Sequence, residues 1–107
     1  MNNQLKASTS TIERLLFKLK KATKPVTEIL HRNDDFQVIV IGFNTGVVMA
    51  DHLTKVPAKL TVLSGSIVYQ DANGVTPLFC FDELAIPENR MHSIRGTRQS
   101  ICLLTQG

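Results

Sequence analysis

The hydrophobic period of this chain changes at Pro25, and no other feature of the sequence constrains the fold as strongly. Before Pro25 the apolar residues recur at helical spacing, and these are Ile12, Leu15, Leu16 and Leu19. After Pro25 they alternate with polar residues in short runs, which is the period of a half-buried β-strand. The sequence therefore predicts one short amphipathic helix followed by a β domain.

The helix has start and stop signals around this apolar stripe. Thr9, Ser10 or Thr11 can cap its first turn, Glu13 follows inside that turn, and Pro25 is expected to end it. Isolated helices of this length are marginal in water, so we expect the stripe to dock on the β domain or on a second copy of the chain. The stripe and the exposed edge strands of a small barrel together predict a homodimer.

Nine runs rich in β-branched or aromatic residues follow Pro25, and clusters such as Asn44-Thr45-Gly46 and Ser64-Gly65 separate them. The predicted strands are 26–31, 36–43, 47–53, 60–63, 67–70, 75–79, 84–86, 91–94 and 100–104. Many short strands with turn signals at close intervals predict a sandwich or barrel rather than alternating strands and helices. We therefore assign residues 25–107 to one all-β domain and residues 1–24 to a basic N-terminal segment that holds the helix.

Composition and cysteine usage indicate a globular protein of a reducing compartment. A chain of 107 residues, 43% hydrophobic and 20% charged, has enough apolar surface for one core without disulfides. Cys80 and Cys102 stand beside apolar residues, as buried thiols usually do. The start MNNQLKAST lacks the apolar core of a signal peptide, and we find no run long enough for a membrane span. We expect a cytoplasmic location.

The positive charge is concentrated at the N-terminus. Residues 1–24 carry a formal charge of +5, whereas residues 25–107 carry −2. A basic segment with one aromatic residue, Phe17, is typical of a solvated helix face and only weakly indicates nucleic acid or an anionic membrane. A nucleic-acid partner is therefore not favoured, although an interaction module acting through the helix of residues 10–21 remains an alternative.

Two segments of the β domain resemble the signature motifs of the cupin family. The first runs from Gly46 to His52 with the family spacing and continues to Val62-Leu63-Ser64-Gly65. The second contains Ile86-Pro87 followed by His92. The resemblance covers about two-thirds of the chain and implies a cupin-type double-stranded β-helix, a jelly-roll barrel.

The metal-binding positions of the motif are only partly retained. In cupins that bind a metal, two histidines and a glutamate of the first motif and one histidine of the second are the ligands. On this chain those positions are His52, Thr54, Ala58 and His92. The resemblance therefore implies a degenerate metal site in which only the two histidines are candidate ligands, and any cofactor would be a divalent transition metal. Phe81 occupies the position of the glycine that opens the second motif.

Strand alternation predicts which side chains enter the barrel. If His52 points inward, so do Ala50 and Thr54, and if Ala58 points inward, so do Leu60 and Val62. The predicted ligand-binding residues are His52, Thr54, Ala58, Leu60, Val62 and His92. Most of them are apolar or uncharged, so we expect an apolar interior.

The leading hypothesis is a single-domain cupin of unassigned activity that at most binds a small, largely apolar molecule in the barrel. We assign no catalytic residue, because the sequence holds no nucleophile–base arrangement, phosphate loop or dinucleotide fingerprint. The first alternative is a metal-dependent enzyme of the dioxygenase or isomerase type that uses His52 and His92. The second alternative is the interaction module described above.

Overall fold

The computed structural model describes residues 5–7 and 10–107, which form one helix and nine strands. The elements are α1 (Thr11–Leu19), β1 (Val26–Arg32), β2 (Gln37–Phe43), β3 (Val48–His52), β4 (Ala58–Ser64), β5 (Ser66–Asp71), β6 (Gly74–Phe79), β7 (Glu83–Ile86), β8 (His92–Gly96) and β9 (Ser100–Gln106). Each predicted strand is present, with ends within two residues of the prediction. The prediction of an all-β fold with a short N-terminal helix is confirmed. None of the described residues belongs to a helix long and apolar enough to cross a membrane.

The strands form two antiparallel sheets that share one core. One sheet has five strands in the order β1-β2-β9-β4-β7, and the other has four in the order β3-β8-β5-β6. Apolar side chains from both sheets meet between them because strand alternation brings them to the facing surfaces. The most buried members of this core are Ile41, Phe43, Leu60, Val62, Ile67, Ile94 and Cys102, each at most 2% exposed.

The helix begins as predicted but ends earlier than predicted. Ser10 is the N-cap, and its Oγ accepts a hydrogen bond from the Glu13 N–H at 3.0 Å, whereas Thr9 lies outside the described residues. The helix ends at Leu19, not at Pro25. The side chain of Asn44 explains this end, since its Nδ2 donates to the carbonyls of Leu19 at 2.7 Å and Ala22 at 2.9 Å. These contacts satisfy carbonyls that a helix end leaves without partners.

The apolar stripe of α1 packs on the outer face of the five-stranded sheet. Leu15 and Leu19 are fully buried there beside Val40. Gly42 makes the approach possible, because a Cβ at that position would lie 3.2 Å from both terminal methyl carbons of Leu19. Leu16, predicted to belong to the stripe, is 46% exposed. Since the chain covers its own stripe, the helix no longer supports the predicted homodimer, which stays a prediction.

The two cysteines have different environments. Cys102 is buried in the core, and burial raises its pKa to about 12. The prediction that Cys80 is also buried is wrong, because the residue lies exposed in the turn after β6, where its Sγ donates to the Leu63 carbonyl at 3.2 Å. The apolar neighbours of Cys80 in the sequence are themselves exposed there, so they gave a false signal of burial.

We expect Leu19→Ala to lower the free energy of unfolding by about 2–5 kcal/mol, because it leaves a cavity between α1 and the sheet. Leu16→Ala is the matched control on the same helix, and it should change the free energy by less than about 0.5 kcal/mol because Leu16 is half exposed. Urea unfolding followed by circular dichroism measures both. Equal losses in the two variants would contradict the docking of α1 on the sheet.

Candidate functional site

The two motif histidines lie side by side at one end of the four-stranded sheet. His52 on β3 is paired with His92 on β8, and their ring centroids are 4.3 Å apart. His92 is buried at 2% exposure, whereas His52 is partly buried. The β3–β8 pairing thus brings together two residues that are forty positions apart in the sequence.

A β-bulge in β3 sets the direction of the His52 side chain. Met49 pairs with Ile94 and His52 with His92, so three steps along β3 lie opposite two steps along β8. Met49 packs against the core, whereas Ala50 is exposed. The prediction that Ala50 points inward together with His52 is therefore wrong. The extra residue of the bulge reverses the alternation between these two positions.

Backbone carbonyls select the tautomer of both imidazoles. The Nδ1 of His52 lies 3.0 Å from the Ala50 carbonyl, and the Nδ1 of His92 lies 3.2 Å from the Arg90 carbonyl. A carbonyl oxygen only accepts hydrogen bonds, so each Nδ1 carries the hydrogen. In the neutral ring the Nε2 then bears a lone pair, so the two histidines present hydrogen-bond acceptors rather than donors.

A polar network extends from His92 along the same end of the sheet. The Tyr69 ring stacks on His92 with centroids 5.3 Å apart, and its hydroxyl donates to Asp71 Oδ2 at 2.9 Å. Arg90 Nη1 approaches the same oxygen at 3.4 Å, and the Asn73 N–H donates to Asp71 Oδ1 at 2.8 Å. The Asp71 side chain is only 6% exposed. It links the tyrosine to the arginine.

These contacts determine the charge of the site near neutral pH. The Asn73 N–H lowers the pKa of Asp71, and the Tyr69 hydroxyl and the Arg90 guanidinium act in the same direction. Burial, followed by the neighbouring carboxylate, raises the pKa of Tyr69 to about 12. Burial also lowers the pKa of His92 below 6.5, against the opposing effect of its bond to the Arg90 carbonyl. Asp71 is therefore charged, while Tyr69 and His92 are neutral.

The side chains at the motif positions do not fit the metal that the resemblance implies. Thr54 is buried, but its Oγ1 donates to the Val56 carbonyl at 2.9 Å in a local turn, and Ala58 has no ligating atom. In the ranges that the structure describes, no three His, Cys, Asp or Glu side chains converge as metal ligands. Every buried side-chain nitrogen or oxygen of those residues also has a hydrogen-bond partner. Protein metal sites usually supply three or four ligands, and this arrangement offers two.

The remaining predicted site residues belong to the core. Ala58, Leu60 and Val62 occupy alternate positions of β4 and are buried, so all three point toward the four-stranded sheet. Leu60 and Val62 have no exposed surface. At these positions side chains fill the space between the two sheets.

A cleft of about 290 Å³ lies beside the polar network, at the open side between β6 and β7. It is lined by Tyr69, Asp71, Asn73, Gly74, Val75, Thr76, Leu84, Ala85, Pro87 and Arg90. None of the six predicted ligand-binding residues lines it, although His92 adjoins it through the Tyr69 ring. The lining of the cleft thus combines the charged pair of Asp71 and Arg90 with apolar side chains.

Tyr69 and Asp71 are the site residues that sequence reasoning missed. Asp71 lies one residue beyond the predicted strand 67–70 and reads as part of a turn. A signal was nevertheless present, since Ile67, Tyr69 and Asp71 alternate and therefore share one face of a strand. Tyr69 is also the only tyrosine in the chain.

The fold is similar to that of solved cupin structures. A cupin superfamily protein from Desulfitobacterium hafniense aligns with 77% of this chain and 75% of its own, at 20% identity and a TM-score of 0.72. An RmlC-like cupin from Desulfovibrio desulfuricans aligns with 100% and 94%, at 19% identity and a TM-score of 0.72. A conserved protein of unknown function from Streptococcus pyogenes aligns with 98% and 90%, at 17% identity and a TM-score of 0.74.

No protein-family model and no curated protein matches the sequence. At these identities the solved structures bear on the fold alone. The similarity of their folds to the two antiparallel sheets of this chain shows that it has the cupin fold.

Proposed function

We propose that this protein is a non-catalytic cupin that binds a small, largely apolar molecule in the cleft beside Tyr69. The observation that carries the proposal is the cleft itself, which combines an apolar wall with a fixed polar network. Ligand sites in proteins are usually concave, mostly apolar and provided with a few placed polar groups. The cleft has apolar and polar groups in similar measure, and its volume of about 290 Å³ lies just below the usual range of about 300–1,000 Å³.

The chemistry of the cleft favours a neutral or weakly polar ligand. Leu84, Pro87 and Val75 offer apolar surface, and its volume of about 290 Å³ corresponds to roughly ten water molecules. The Asp71 carboxylate lies against the Arg90 guanidinium, so the network contributes little net charge. Binding would then depend on apolar contact and on a few hydrogen bonds.

A cytoplasmic location, predicted from the sequence, is part of the proposal.

A metal-dependent enzyme is the second candidate, because His52 and His92 lie side by side with their Nδ1 atoms held by carbonyls. In metal sites, a hydrogen bond from the other ring nitrogen to a carbonyl orients the imidazole that binds the metal. The candidate ranks lower because, among residues 5–7 and 10–107, no third ligand lies beside the two histidines.

The interaction-module alternative gains no support from the helix. Two of its basic side chains, Arg14 and Lys18, form ion pairs with Glu28 on β1 at 3.3 and 3.2 Å. Its buried face covers the sheet. These contacts favour a structural role for the helix.

Small neutral fragments should bind at the cleft and shift the amide resonances of Thr76, Leu84 and Arg90 in ¹⁵N-edited NMR spectra. Leu84→Trp should fill the cleft and abolish these shifts. Val48→Trp, placed at an exposed position on β3, is the control and should leave them unchanged. The proposal fails if the shifts cluster elsewhere, or if Leu84→Trp binds the same fragments as the parent protein.

Purified, untagged protein should carry less than about half an equivalent of iron, zinc, manganese or nickel, because two imidazoles leave most of the coordination sphere to water. Mass spectrometry of metals after dialysis measures this. His52→Ala is the control, since metal that persists in this variant is not held by the histidine pair. A full equivalent that survives dialysis and disappears in the variant would favour the enzyme candidate instead.

The stability of the protein should fall as the pH drops below about 6.5, and His92 should contribute to that fall. The pKa of His92 is lowered in the folded state, so below its ordinary value near 6.5 the unfolded chain binds a proton that the folded chain does not. His92→Phe keeps a ring against Tyr69 without the titrating group. Urea unfolding at pH 7.5, 6.5 and 5.5 should therefore show a steeper loss for the parent protein. If the free energy of unfolding falls equally with pH in the parent protein and in His92→Phe, the lowered pKa of His92 is contradicted.

A further inference from the structure

The cleft beside Tyr69 lies between the edges of the two sheets. β6 is the last strand of the four-stranded sheet, and β7 is the last strand of the five-stranded sheet. Both strands contribute to the lining, β6 through residues 74–76 and β7 through Leu84 and Ala85. Within residues 5–7 and 10–107, no further strand pairs with the outer side of either one. Backbone N–H and C=O groups on these outer sides therefore lack a strand partner.

Val75 is the residue of β6 that lines the cleft with outward backbone groups. The two-residue turn 72–73 closes the β5–β6 hairpin with a hydrogen-bonded pair, and bonded and non-bonded pairs alternate from there. Val75 and Pro77 fall in non-bonded pairs, so their backbone groups point away from β5. Phe79 confirms this alternation, because its N–H and C=O both bond to Asp82 outside the hairpin, at 2.8 and 2.9 Å. Pro77 also fits, since an outward edge position tolerates the loss of an N–H.

Ala85 has outward backbone groups on the β7 side of the cleft. The N–H and C=O of Val62 on β4 both bond to the turn that precedes β7, at 3.0 and 2.7 Å. By alternation Leu60 also bonds toward β7, where it is paired with Leu84. Ala85 is the next residue, so its N–H and C=O point away from β4. Each side of the cleft therefore offers one donor and one acceptor from a free strand edge.

A trans secondary amide has the hydrogen-bonding groups to bridge these two edges. Its N–H and C=O point in opposite directions from one planar unit, so the C=O can accept from one edge while the N–H donates to the other. Strand edges bind extended peptides through the same groups. We propose that the ligand of this cleft is a small secondary amide with apolar substituents, bonded to the backbones of Val75 and Ala85. This inference rests on the function proposed above and names the chemical class of the ligand.

The remaining lining of the cleft suits the same ligand. Leu84 and Pro87 offer apolar surface for its substituents, and a volume of about 290 Å³ has room for two short alkyl groups around one amide. A secondary amide is uncharged, in keeping with the small net charge of the paired Asp71 and Arg90. Val75 is 60% exposed, so water can replace a bond that a ligand fails to make. We therefore expect a moderate rather than a large preference for the amide.

Three probes of similar shape test the inference by NMR titration of the parent protein. N-isobutylisobutyramide has both amide groups, whereas isobutyl isobutyrate and N-isobutyl-N-methylisobutyramide lack the N–H. The secondary amide should bind at least about fivefold more tightly than either control, a difference of about 1 kcal/mol. It should also move the backbone ¹H resonance of Val75 or Ala85 downfield, as a new hydrogen bond does and apolar contact alone does not.

Proline variants test the backbone groups directly. Val75→Pro and Ala85→Pro each remove one outward N–H, and one of them should weaken binding of the secondary amide at least about fivefold. Glu83→Pro is the matched control, since it removes another outward N–H of β7 at a position that does not line the cleft. Circular dichroism establishes that each variant is folded. Unchanged affinity in both cleft variants would overturn the inference.

The comparison of the three probes needs no variant, and it separates this inference from the function on which it rests. If all three shift the resonances of Thr76, Leu84 and Arg90 with equal affinity, the cleft binds apolar molecules but the amide class is wrong. If none of them does so, both proposals fail. A preference for the secondary amide that persists in Leu84→Trp would also overturn the inference, because the amide would then bind at another surface.

Discussion

The fold depends on one corner at which the chain passes twice between the two sheets. β4 continues into β5 through Gly65, and β8 continues into β9 through residues 97–99. These crossings lie against each other, since a Cβ at Gly65 would stand 2.9 Å from the Ser100 Cα and closer still to the Gln99 carbonyl. Gly65 also has a φ of +81°. Only glycine combines that conformation with so close an approach.

Hydroxyl groups satisfy the backbone that this corner buries. Ser100 Oγ accepts the Ser66 N–H at 2.9 Å and lies 2.8 Å from the Ser66 carbonyl, to which Thr97 Oγ1 also donates at 3.0 Å. Ser100 has no exposed surface and Ser66 is 9% exposed. A buried backbone group without a hydrogen-bond partner costs about 1–3 kcal/mol, so the side chains of Ser100 and Thr97 stabilise the crossing. The corner also starts the β5–β8 pairing that sets Asp71 opposite His92, and the polar network depends on that register.

The parts of the structure that follow from local alternation could be predicted from the sequence, and the parts that depend on a neighbouring strand could not. All nine strands, the Ser10 cap and the inward face of β4 follow from residues close together in the chain. The helix end depends on Asn44, which lies twenty-five residues from Leu19, and the direction of His52 depends on a bulge visible only in the pairing with β8. The sequence carries no local signal of either.

Two of the four motif positions carry side chains that have structural roles in this fold. The Thr54 hydroxyl is used in a local turn, and Ala58 contributes only apolar surface. His92 is nevertheless held, because its Nδ1 is bonded to the Arg90 carbonyl and its ring stacks on Tyr69.

With Tyr69 and His92 neutral and Asp71 beside Arg90, the polar network has little net charge. It therefore exerts little attraction on an ion from a distance. A ligand of the proposed kind would gain its affinity by leaving water for the apolar wall of Leu84 and Pro87, and the polar network would then orient it. Selectivity at such a site comes from shape and from which hydrogen bonds the ligand completes, because a ligand that leaves a buried acceptor unpaired binds more weakly.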